Sequence, residues 1–234
     1  MPEGLLRGLT VVGYGLELVL LITLLRRGYL RRLRSLCIFV GTLFAIDGCI
    51  RPLTLRTYGA QSPEYYDLYW LTDLLLVLAS FALICAFFRQ ACLQHNEVWK
   101  VVRPALAVVF ILELAISTST FLRQYHNNLL ATRFMYGFSQ DLYFTCVVLN
   151  TVLYLMLEWF KSRDSLLHLL VCGLGIQYAG PAANTALYLV TSNLDARHLI
   201  SYLLPFCNAA MLAIWVYAVA RQPRAAVGRL RAAA

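Results

Sequence analysis

YDLYWLTDLLLVLASFALICAFF, residues 66–88, is the stretch whose reading decides the fold. After Asp73, the fifteen residues up to Phe88 include no charged side chain. At ~1.5 Å of rise per residue, a helix of this length crosses the ~30 Å of hydrocarbon in a bilayer. Lipid offers the backbone no hydrogen-bond partners, so such a segment must pair its N–H and C=O groups internally, as a helix. Working outward, six further apolar segments fall at 5–25, 35–54, 101–121, 137–159, 165–190 and 199–220. Little remains besides short loops and a basic tail over 221–234. The expected fold is therefore all-α, a polytopic membrane protein built as a seven-transmembrane-helix bundle.

Composition agrees. Hydrophobic residues make up 60% of the 234, and mean hydropathy is +0.66. Charged residues make up 14%, against roughly 25% in soluble domains. A water-soluble core would not require charge to be confined to the gaps between apolar stretches, whereas lipid does.

The charge in those gaps sets an orientation. With loops assigned alternately to two sides, one side collects fourteen Lys and Arg and the other six. The richer side holds Arg26, Arg27, Arg31, Arg32 and Arg34, then Arg89, Lys100, Arg103, Lys161 and Arg163, and the four arginines of the tail. The positive-inside rule places that side in the cytoplasm and the N-terminus outside. The expected location is a bacterial inner membrane, with the Arg26–Arg34 cluster against anionic headgroups. The net charge of +8 then needs no nucleic acid to explain it. Arginines follow the first segment rather than precede it, so it reads as a retained helix and not a cleaved leader.

Several chemistries are excluded by what the segments lack. The two lysines, Lys100 and Lys161, both sit at segment ends, so no Schiff-base lysine is buried. The four histidines form no H-x-x-x-H or H-E-x-x-H pattern, and the seven cysteines form no C-x-x-C pair. No metal or cofactor is expected, and the cysteines read as small apolar filler. No nucleophile–base pair stands out, although Glu113 and Asp73 are the best-placed acids for an enzyme.

The informative residues are polar ones within apolar segments, where each charge costs about 2.5–3.5 kcal/mol on insertion scales. Such groups face the bundle interior or a wet cavity. Asp47 and Arg51 lie in the second segment, i and i+4 on one face. Asp73 is in the third, Glu113 in the fourth and Asp141 near the start of the fifth; Gln177 and Asn184 are in the sixth. The orientation puts Asp47, Arg51, Asp73, Asp141 and Asn184 in the outer half, Glu113 near the middle and Glu17 central to inner. Asp47 and Arg51 read as a self-neutralising pair that stiffens the second segment, or as part of an outer-half network in which Arg51 is shared by Asp47, Asp73 and Asp141, with Glu113 as a fourth acid. In the third segment, helical spacing puts Tyr66, Tyr69, Trp70 and Asp73 on one face. That face is an interfacial anchor, or an aromatic wall above an acid suited to a cationic ligand. Gly180 and Pro181 mark a kink in the sixth segment, a packed bend or a hinge between Gln177 and Asn184.

The run Tyr65-Tyr66-Asp67-Leu68-Tyr69-Trp70-Leu71-Thr72-Asp73 resembles a signature in a group of uncharacterised bacterial seven-helix proteins, which carry an aromatic-rich run ending in Trp and an acid here. The layout is also similar to the seven-helix sensory input modules that precede bacterial kinases. The tail Arg221–Ala234 is too short for an output domain, so signalling would need a separate protein partner. The segments show no internal repeat of the kind inverted-repeat transporters carry. The expected function is a non-enzymatic receptor-like sensor, or a membrane-embedded subunit of a larger complex. The alternative is a small transporter or channel for a cation, an amine or a proton-coupled substrate.

Overall fold

A computed structural model describes residues 2–29, 33–59, 61–123, 130–161, 164–190 and 194–221. These form seven long helices: α1 Pro2–Arg26, α2 Arg34–Tyr58, α3 Pro63–Ala91, α4 Asn96–Arg123, α5 Leu130–Trp159, α6 Ser165–Val190 and α7 Leu194–Arg221. The expected all-α architecture is the observed one. Over the described residues six of them are long and apolar enough to cross a membrane: Gly8–Arg26, Arg34–Tyr58, Pro63–Ala91, Asn96–Ser119, Phe134–Trp159 and Leu203–Arg221. In α6 the described apolar part is Ser165–Gly180, shorter than a span. The chain is a helical multi-pass membrane protein.

Helix ends follow from local chemistry. Gly59 stops α2 with φ of +80°, a conformation that glycine adopts without a Cβ penalty. Three residues on, the Ser62 hydroxyl accepts from the Tyr65 N–H at 3.1 Å, and Pro63 fills the first helical position of α3. This tight turn explains why α3 begins before the apolar core of its segment. At the start of α6, Asp164 accepts from the Leu167 N–H at 3.3 Å.

Helix α2 is continuous but not regular. Between the α-helical parts Arg34–Leu43 and Arg51–Tyr58 lies a π-helical stretch, Phe44–Ile50. The Arg51 N–H bonds to the Ile46 carbonyl, one residue further back than in an α-helix. The cause is Pro52, which has no N–H and whose ring crowds the carbonyl four residues before it, that of Gly48. The turn widens to relieve both problems, and wide turns of this kind are frequent at functional sites.

In the bundle α1 packs on α2 and α7, α2 on α3, α3 on α5, α5 on α6, and α6 on α7. That order closes a ring of six helices, with α4 flanking it against α5 and α3. The α6–α7 seam is the tightest. The indole N–H of the fully buried Trp215 donates to the Leu170 carbonyl at 2.9 Å. A Cβ on Gly173 would lie 2.7 Å from that indole nitrogen, so only glycine fits there. Phe39 meets the Trp215 ring edge-on at 5.8 Å and ties α2 into the same core.

Candidate functional site

The Gly59–Ser62 turn sets the register of the site. Arg51 lies eight residues before Gly59 and Thr72 ten after Ser62, so the two face each other across the α2–α3 pair. The Arg51 Nε donates to Thr72 Oγ1 at 3.1 Å. Its Nη1 donates to Asp47 Oδ1 at 2.8 Å, and its Nη2 lies 3.6 Å from Asp73 Oδ1. The Tyr69 ring supports the guanidinium face at 4.5 Å, a cation–π contact. From α5, the Tyr143 hydroxyl donates to Asp73 Oδ1 at 3.3 Å. One guanidinium thus ties α2 to α3 and, through Asp73, reaches α5.

The cluster extends where sequence depth did not point. Glu17 of α1 is 1% exposed. The Asn208 side chain of α7 hydrogen-bonds it, and it lies within electrostatic reach of Asp47. Tyr14, one turn away on α1, senses Asp47, Glu17 and Arg51. Asp47 and Asp73 therefore flank one guanidinium inside the ring, and Glu17 adjoins Asp47. Beyond the 3.6 Å ion pair with Asp73, Arg51 Nη2 has no hydrogen-bond partner among the described residues, and Trp70 Nε1 has none either. The same holds for the acceptors Glu17 Oε2 and Asn208 Oδ1.

The expected four-acid network is corrected at two positions. Glu113 and Asp141 do not join Arg51; they form a separate seam between α4 and α5. Glu113 Oε1 accepts from the Thr145 hydroxyl, and Asp141 Oδ2 from the Ser117 hydroxyl at 3.3 Å. Asp141 is exposed on the flank of the bundle. The rotation of α5 aims Tyr143, two residues on, at Asp73 instead.

The aromatic face divides as well. Tyr69 and Asp73 belong to the cluster. Trp70 packs edge-on against Tyr136 of α5 at 4.7 Å, while Tyr66 is mostly exposed and touches Trp70 at 5.9 Å. Gln177 is half-buried on α6, and its Oε1 lacks a partner among the described residues. The side chains of Asn184 and Pro181 lie outside those described. The α6 backbone stays helical through Pro181, and Gly180 is buried where a Cβ would come within 3.2 Å of the Cys207 Cβ. The geometry at Gly180 is that of close packing between α6 and α7.

Thr72 and Tyr143 are the site residues that sequence reasoning left out, while Glu17 and Asn208 read as polar groups within apolar segments but not as members of the network. Tyr143 had a signal: with Cys146 and Asn150 it makes an i, i+3, i+7 polar line along an apolar helix. Glu17 and Asn208 had only their polarity, because their faces depend on the packing order. No cluster of His, Cys, Asp and Glu among the described residues has the makings of a metal site. In the basic stretch, Arg27 donates to the Val219 carbonyl at 2.9 Å, Arg26 and Arg34 are exposed, and Arg31 and Arg32 lie outside the described residues. Chemically, the cluster combines an anchored cation, surplus carboxylate oxygens and an aromatic floor, a set suited to binding a small polar molecule. Comparison with protein-family models, with curated proteins and with solved structures finds no match.

Proposed function

We propose that the chain spans a bacterial inner membrane seven times, N-terminus outside, and acts as a receptor-like sensor that holds a small ligand at the Arg51 cluster. Output passes to a separate protein, so the same reading covers a membrane-embedded subunit of a larger complex. The observation that carries this is the Arg51 guanidinium shared by Asp47 and Asp73 over the Tyr69 ring. Buried charge on this scale is costly and marks function in membrane helices. The fourteen-to-six division of basic residues supports the orientation. The Tyr65–Asp73 signature and the overall layout support the bacterial seven-helix and sensory reading.

The test is native mass spectrometry of the protein released from nanodiscs. The wild type should retain a small molecule or a stoichiometric protein, and Arg51→Ala should lose the small molecule. A bare chain in both samples contradicts the reading. A second reading, a small transporter, is favoured by the wide turn at Asp47, because a π turn lets its helix shift register next to the site. Uptake of a labelled small amine into liposomes, abolished by Asp73→Asn, would select it over the sensor.

A further inference from the structure

The inner side of the cluster has its own chemistry. Glu17 Oε2 and Asn208 Oδ1 are both acceptors without a partner, and Asp47 uses one carboxylate oxygen on Arg51. No cation of the protein pairs with Glu17 among the described residues. An acid buried to 1% exposure without a cation is unfavourable unless something supplies donors. Space for that something lies one turn away. Gly13 is buried, yet among the described residues a Cβ built on it meets no atom within 4 Å beyond its own helix backbone. Gly13 and Glu17 are i and i+4, on one face of α1. Tyr14 adds an aromatic ring within electrostatic reach of Glu17 and Asp47.

We propose that this space between α1, α2 and α7 is a binding site for a primary ammonium group, held by Glu17, Asp47 and Asn208 beside Tyr14. The N–H donors of an ammonium match Glu17 Oε2 and Asn208 Oδ1, which have no partner among the described residues, and its charge offsets that of Glu17. The aromatic neighbour suits an organic cation better than a bare ion. The inference rests on the ligand-binding reading above and names the ligand's class.

The test is calorimetric titration of the protein in nanodiscs with n-butylammonium chloride, with sodium chloride, n-butanol and empty nanodiscs as controls. Saturable binding of the ammonium is expected, with none of the alcohol or of sodium. Glu17→Gln should weaken it about tenfold to hundredfold, the loss of a charge-assisted hydrogen bond. Gly13→Leu fills the space without altering charge and should abolish binding, with circular dichroism unchanged. No ammonium binding, equal binding by Glu17→Gln, or equal binding of sodium or butanol overturns the inference. If native mass spectrometry still finds a small molecule that Arg51→Ala loses, only the ammonium assignment fails; if that signal is also missing, the ligand-binding function fails with it.

Discussion

Two pairs of acids lie in this bundle, and the protein treats them differently. Asp47 and Asp73 are inside the helix ring, tied to Arg51, Thr72 and Tyr143. Glu113 and Asp141 are on the α4–α5 flank, where among the described residues they accept from the hydroxyls of Thr145 and Ser117. The interior pair needs a counter-charge because the surrounding side chains exclude water and raise the cost of an unpaired ion. The flank pair makes do with neutral donors, since Asp141 is open to its surroundings. Position around the helix axis, and not depth alone, decides which acids form a site.

That contrast can be broken at its strongest point first. Arg51→Ala leaves two buried carboxylates without their cation and should cost about 3–5 kcal/mol in reversible unfolding from bilayer mimetics. Asp73→Asn keeps an acceptor for Tyr143 but weakens the hold on Arg51, and should cost about 1.5 kcal/mol in the same assay. On the flank, Thr145→Val removes one interhelical hydrogen bond; such bonds average about 0.6 kcal/mol between membrane helices, and the loss should be of that size. Asp141→Asn should change stability by less than about 0.5 kcal/mol, because an exposed amide accepts from Ser117 equally well. A cost for Asp141→Asn that matches the one for Asp73→Asn would erase the distinction between the two regions.

The helices were legible in the sequence, because apolar run length is a one-dimensional signal. Asp47, Arg51 and Asp73 were legible as partners for the same reason: spacing on one helix and a short turn to the next leave little freedom. Rotation about the helix axis was not legible. Glu113 and Asp141 face the flank, while Glu17 turns to Asp47 and Asn208. Facing depends on which helices touch, and α7 lying against α1 is a contact between opposite ends of the chain. The widened turn at Asp47 had a visible cause in Pro52, whose effect on the Gly48 carbonyl follows from ring geometry alone.

The central claim is that Arg51 serves Asp47 and Asp73 together. Double-mutant cycles of Arg51→Ala with Asp47→Ala, and of Arg51→Ala with Asp73→Ala, test it most directly. Coupling of about 1 kcal/mol or more in both cycles, with Asp47→Ala restoring little of the Arg51→Ala loss, is the predicted result. Coupling confined to Asp47, with Asp73 additive, would reduce the cluster to a self-neutralising pair on one helix and contradict the account.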